Sequence, residues 1–341
     1  MNVKIRHKII SLPFRRPFTI SKGTKTHQPI FLVELEWNGI RGYGEAPAIT
    51  YYGITAEMMA EELERKKHMV ERFALTDPER FWHFLHHLFP NNSFLVCALD
   101  MAGWDLFGKL RQQPLYRLFD LDPSKAPLTD YTIGIDSPDK MIENMQNMPW
   151  PIYKIKVGTE GDMDRLHALR AHTNALIRVD ANEGWTVEEA LEKIPQCLSA
   201  GVELIEQPLH KNDRVGMEQL AGIPGAVLMA DESCVSEADV AKCAGLFHGI
   251  NIKLTKCGGI TPARRMIRNA RGSGLKVMIG CMNESTIGSA AVVHLSPLLD
   301  HMDVDGPLLL SEDTATGLHY HDGRVDIPQK PGLGIDLINP F

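Results

Sequence analysis

No run of about 18 uncharged apolar residues occurs in the 341-residue chain, so a membrane-spanning helix is not expected. The basic N-terminal stretch MNVKIRHKIISLPFRRPF lacks the apolar core of a secretion signal. Excess positive charge is missing as well. Lys and Arg number 36 against 43 Asp and Glu, a net charge of -7, so nucleic acid and anionic membrane surfaces would be repelled and a small-molecule partner is expected. The six cysteines include no C-x-x-C pair, which argues against a disulfide framework or a zinc site and for reduced thiols in the cytoplasm. The glycines of GYGEAP (42–47) do not complete G-x-G-x-x-G, so no nucleotide cofactor is expected. Low-complexity tracts are absent, and the number of subunits stays open, a homo-oligomer included.

What is present falls into two patterns. Residues 1–125 read as strands followed by helices, an α+β cap: NVKIRHKIISL, then PIFLVELEWNG, then three helical stretches within 55–118. From about residue 126 to 310, short β-branched runs alternate with amphipathic helical segments, the sign of βα units. The runs are YTIGI, IYKIKVG, LIRVDAN, GVELIEQP, AVLMADES, GINIKLTK, KVMIGCMN and HMDVDGP, enough for a barrel. Thr186 with Glu189 and Ser236 with Asp239 have capping-box spacing, and Thr261-Pro262 suits an N-cap and first helical position. The last segment, 311–341, reads as turns and edge strands returning to the cap.

The charges of the second region sit at its strand ends. Lys154 and Lys156 end one run, then come Asp180, Glu206, Asp231 and Lys253, with Asp303 and Asp305 on the last. Successive separations from Lys156 to Lys253 are 24, 26, 25 and 22 residues, one ionisable group per βα unit. A barrel strand is covered on both faces, so a charge is tolerated there only where it reaches the C-terminal mouth, which is where such folds place their sites. Converging Asp180, Glu206 and Asp231 offer oxygen donors alone, which favours Mg²⁺, or Mn²⁺, over softer metals. Lys154 and Lys156 alternate along one strand and share a face, which puts two ammonium groups near each other and near the metal ion, and both are expected to lower a lysine pKa. Lys253 lies about opposite by strand count. Two bases facing one carbon imply stereoinversion, and a weakly acidic α-proton leaves only if the enolate is stabilised by the metal.

At these residues the chain resembles the muconate-lactonising subgroup of the enolase superfamily, whose sites combine such bases with Mg²⁺. The matching motifs are GYGEAP, YKIKVG, RVDAN, IEQP, MADES and NIKLTKCGGI. The resemblance implies a modified (β/α)7β TIM-like barrel with an N-terminal α+β capping domain completed by the C-terminal segment. It also implies Lys156 and Lys253 as acid/base pair, Lys154 assisting, and Asp180, Glu206 and Asp231 as Mg²⁺ ligands. MDVDGPLLL (302–310) is similar to the D-x-D signature of dipeptide epimerases, with Asp303 and Asp305 suited to a free ammonium. The stretch FTISKGTKTHQ (18–28) resembles a mobile specificity loop, offering Lys22 and Lys25 to an acidic side chain where some members carry arginine. Thr132 and Glu284 are further pocket candidates by the same resemblance. The activity so implied is epimerisation of a dipeptide at its C-terminal residue, L-Ala-D/L-Glu being the first substrate to expect. N-acylamino acid racemisation, cycloisomerisation, o-succinylbenzoate synthesis and a non-catalytic anion-binding barrel are the alternatives.

Overall fold

The computed structural model describes residues 2–341. Three long antiparallel strands, β1 (Lys4–Ile20), β2 (Gly23–Trp37) and β3 (Ile40–Pro47), form the cap sheet, followed by helices α1 (Ala56–Arg72), α2 (Pro78–Leu88) and α3 (Ser93–Leu110). The glycines of GYGEAP are explained by contact with α3. A Cβ on Gly44 would lie 2.0 Å from the carbonyl oxygen of Ala98, and one on Gly42 2.3 Å from that of Ala102, so only glycine lets strand and helix approach this closely. The stretch expected as a loop at 18–28 is instead the tip of the β1–β2 hairpin, because Phe18 pairs with Lys25 and Thr19 with Thr24.

The barrel strands are β4 (Tyr131–Ile133), β5 (Ile152–Lys156), β6 (Leu176–Asp180), β7 (Val202–Glu206), β8 (Leu228–Ala230), β9 (Gly249–Ile252), β10 (Lys276–Ile279) and β11 (His301–Met302). They form one parallel sheet in sequence order, and a parallel bridge from Thr129 to Met302 closes its two ends on each other. A helix of seven or more residues follows each of the first seven strands, whereas β11 is followed by a single turn, Gly306–Leu309, giving the (β/α)7β form. Both capping boxes occur, at Thr186 and at Ser236. The third expected cap does not: Gly259 is the N-cap of the helix Ile260–Gly272, and Thr261 lies within it. The Thr261 hydroxyl and N–H are taken by Asp100 of α3, at 2.7 and 3.0 Å. That buried contact, with the Trp82 indole N–H donating to Gly258 O at 2.8 Å, docks the cap helices on the barrel.

The C-terminal segment ties the two parts together. Leu333 N–H donates to Asp105 of α3 at 2.7 Å, Tyr320 OH to Val304 O at 2.8 Å, and Lys8 Nζ to Asn339 O at 2.8 Å. Among the described residues no helix is long and apolar enough to cross a membrane.

Candidate active site

Strand order fixes where each charge meets the barrel mouth. Lys156 ends β5 and Lys253 follows β9, four places apart among eight, so the two ammonium groups face each other across the mouth. Asp180, Glu206 and Asp231, at the ends of β6, β7 and β8, occupy one arc between the lysines. Asp303 and Asp305, after β11, and Thr132, on β4, occupy the other. The loops that turn these side chains inward are strained, with positive φ at Asn182, Glu183, Gln207 and Asn283.

All of these groups are buried, yet each carboxylate of the first arc has a cation at hand. Lys156 Nζ donates to Asp180 Oδ2 at 2.6 Å, and Lys253 Nζ to Asp231 Oδ2 at 2.6 Å. Lys154 Nζ lies 2.8 Å from Glu206 Oε2, 3.3 Å from Asp180 Oδ2 and 3.0 Å from Asp303 Oδ2, so it spans both arcs from below. Burial alone would raise the Asp180 and Asp231 pKa values, but these lysines hold both carboxyls far below the usual range. Glu206, buried beside Asp180, is raised. The lowered pKa expected for a lysine of the β5 pair is not found at Lys154. Burial opposes its charge, but Asp303, Glu206 and Asp180 more than reverse that, and the group is raised well above its ordinary value. Lys253 is likewise raised, Asp231 and Glu206 outweighing its burial.

The donor set fits a hard divalent cation. Three carboxylates no more than 1% exposed need more positive charge than water can supply. Glu206 Oε2 has no aligned hydrogen-bond donor, although Lys154 sits beside it as an ion pair. Among the described residues, the group whose ligand atoms all lie within 4.8 Å of one another is a different one, Cys281 with Asp303 and Asp305.

On the second arc, Thr132 N–H donates to Asp305 Oδ2 at 2.6 Å. Burial and the neighbouring Asp303 push Asp305 up to about 7, while Asp303 itself, despite burial, is lowered by Lys154 and Lys156. Above the lysines the cavity is walled by Phe18, Ile20, Ile49, Tyr52, Lys25 and Met282. The two hairpin lysines differ. Lys22 is committed to the protein: Nζ donates to Glu183 Oε2 at 2.7 Å and Glu232 Oε1 at 3.2 Å and lies 3.7 Å from the Tyr51 ring centroid. Lys25 donates to Gln28 at 3.2 Å, and burial together with Lys253 lowers its pKa to about 8. Glu284 is not part of the cavity wall; it is buried just behind it, its carboxylate turned back to accept the Met282 N–H.

Several supporting residues escape a reading of strand-end charges. Asn251 donates to Glu206 Oε1 at 2.8 Å, and Lys256 donates to Asp231 Oδ1 at 2.5 Å. Gln207 accepts the N–H groups of Asp231 and Ser233, each at 3.0 Å. Asn251 alternates with Lys253, a spacing that does place both on one face. The contacts of Lys256 and Gln207 depend on turns that no periodicity encodes.

Two family models cover most of the chain: "Mandelate racemase / muconate lactonizing enzyme, N-terminal domain" over residues 3–119 and "Enolase C-terminal domain-like" over 140–339. The chain belongs to the mandelate racemase / muconate lactonizing enzyme family. Within it, the chain is 45% identical to an L-Ala-D/L-amino acid epimerase of Flavobacterium johnsoniae, over 96% of this chain and 98% of that one. Among solved structures of the family, a substrate-liganded L-Ala-D/L-Glu epimerase from Bacillus subtilis superposes with a TM-score of 0.93 at 29% identity, covering 98% of this chain and 99% of that one. A dipeptide epimerase from Enterococcus faecalis, complexed with Mg and L-Leu-L-Tyr, superposes with a TM-score of 0.92 at 30% identity over the same shares.

Proposed function

We propose that this chain is a Mg²⁺-dependent dipeptide epimerase that inverts the α-carbon of the C-terminal residue by proton transfer between Lys156 and Lys253. The observation that carries this reading is the division of the mouth into two acidic arcs, Asp180, Glu206 and Asp231 on one and Asp303 and Asp305 on the other, with one lysine on each side between them. A dipeptide has an anionic and a cationic end, and its second α-carbon lies beside the anionic one. Seated with its carboxylate toward Asp180, Glu206 and Asp231 and its ammonium toward Asp303 and Asp305, it presents opposite faces of that carbon to the two lysines. Asp180, Glu206 and Asp231 would hold Mg²⁺, which would supply positive charge to stabilise the enolate that forms as the α-proton leaves. One lysine takes the proton, the other returns one to the opposite face, and Lys154 keeps the buried carboxylates compensated beneath them.

Changing Asp303 and Asp305 together to Asn removes a charge-assisted contact of about 1.5–3 kcal/mol, so kcat/KM for free-amine dipeptides falls roughly 10–100-fold. Steady-state kinetics on a dipeptide and an N-acylamino acid check this; unchanged dipeptide kinetics would favour one of the N-acyl or cycloisomerase activities.

The chemistry of the second side chain is set by Lys25, since Lys22 is already paired. With L-Ala-L-Glu, Lys25 in its charged form faces the substrate γ-carboxylate. Lys25 is charged below about 8 and neutral above it. The kcat/KM ratio of L-Ala-L-Glu to L-Ala-L-Ala therefore falls as pH rises through that value, and is flat in Lys25→Met. A ratio independent of pH in the parent enzyme rules out Lys25 as the side-chain partner. The epimerase of F. johnsoniae carries the broader name of L-Ala-D/L-amino acid epimerase, and a lysine, less directional than arginine, suits a wider second-residue range. We place the enzyme in the cytoplasm, where its six unpaired thiols stay reduced.

A further inference from the structure

The motif NIKLTKCGGI carries a second lysine, Lys256, that proton transfer does not use. Lys256 lies in the single helical turn Leu254–Cys257 that follows β9, and the chain leaves that turn through Gly258 and Gly259, both at positive φ. A Cβ on Gly259 would lie 2.3 Å from Asp100 Oδ2, and Gly258 O accepts the Trp82 indole N–H, so the cap helices hold the turn in place. The Lys256 side chain is 1% exposed, and its ammonium is spent entirely on the protein. It donates to Asp231 Oδ1 at 2.5 Å, to the Asp231 carbonyl and to Asn251 O at 3.2 Å, one partner for each of its three protons. Lys253 differs. Among the described residues its one hydrogen-bond partner is Asp231 Oδ2, at 2.6 Å, and its side chain lines the cavity. Among the described residues no other donor reaches the Asp231 carboxylate, so its two oxygens are shared out, one to each lysine.

We propose that Lys256 is a positioning residue for Lys253: it holds Asp231 Oδ1, so that Lys253 keeps a single, separable contact with Asp231 and stays directed at the substrate α-carbon. A buried carboxylate oxygen without a donor is costly, so it recruits the nearest one. With Lys256 gone that donor is Lys253, which is drawn across both Asp231 oxygens and away from the cavity. Lys156, four strands away, is paired with Asp180 instead, so the opposite face of the substrate keeps its base.

This rests on the reading of Lys156 and Lys253 as opposed bases, and the experiment separates the two. Each pure epimer of one dipeptide is incubated with Mg²⁺ in deuterated buffer, and the initial loss of its α-proton is followed by NMR in the parent, Lys256→Met, Lys256→Gln, Lys156→Ala and Lys253→Ala. Lys156→Ala, which keeps Lys253 alone, identifies the epimer that Lys253 serves. In Lys256→Met the loss from that epimer falls about tenfold, the worth of one hydrogen bond to a charged group, while loss from the other stays within about twofold of the parent. Exchange of that other epimer then outpaces its inversion. Lys256→Gln, which keeps a neutral donor near Asp231, shows the same bias to a smaller degree and serves if the Met variant does not fold. Equal losses on the two epimers overturn the proposal, since a purely structural or metal-binding role slows both bases alike. So do parent rates on both. If instead Lys156→Ala and Lys253→Ala exchange the same epimer, the opposed-base reading itself fails.

Discussion

Lys253→Ala is expected to reduce dipeptide epimerisation by roughly 10²–10⁴-fold, the worth of one positioned acid/base group, while still exchanging the α-proton of one epimer with solvent. Lys156→Ala is expected to lose as much turnover and to exchange the other epimer instead. Lys156 and Lys253 stand four strands apart around the eight-stranded barrel, so each reaches only one face of a carbon held between them. An enzyme lacking one lysine can still remove and return a proton on the remaining face but cannot invert the centre. Proton NMR of each pure epimer in deuterated buffer reads exchange and inversion separately. Both variants exchanging the same epimer would contradict the opposed placement.

The second large effect is that of the cation. Chelation is expected to abolish turnover and added Mg²⁺ or Mn²⁺ to restore it, while Glu206→Gln is expected to weaken cation binding and cost several kcal/mol of charge stabilisation in the reaction. Asp180, Glu206 and Asp231 are almost fully buried. Their negative charge is paired with Lys154, Lys156, Lys253 and Lys256. A substrate carboxylate brought to that arc adds like charge, and the lysines that offset it are then tied down as ion-pair partners and cannot serve as bases. A divalent cation relieves both problems together. Calorimetric titration of Mg²⁺ into the parent and Glu206→Gln, alongside turnover, checks this; full activity in excess chelator would contradict it.

Much of the barrel site was legible because the fold repeats. One charge per βα unit at the C-terminal end of an apolar strand marks a mouth residue wherever the strand sits, and order around the barrel follows order in sequence. Lys156, Asp180, Glu206, Asp231, Lys253, Asp303 and Asp305 are brought together in that way. What depends on long-range partners was not legible. Thr261 has the local form of an N-cap, but Asp100, 161 residues earlier, takes its hydroxyl and the cap falls to Gly259. Lys22 and Lys25 look equivalent in sequence and both line the cavity, yet Glu183 and Glu232 pair with Lys22 while Lys25 reaches only Gln28. The expected lowering counted the neighbouring ammonium and a nearby metal ion but not the three carboxylates around Lys154, which hold that lysine well above its ordinary value.

The most direct test is to incubate the enzyme with Mg²⁺ and a panel of L-Ala-containing and other dipeptides in deuterated water, following products by NMR. Two-base epimerisation gives deuterium at the α-carbon of the second residue alone, with both epimers formed from either starting one. No α-deuterium in any dipeptide, or label at the first residue, would contradict it.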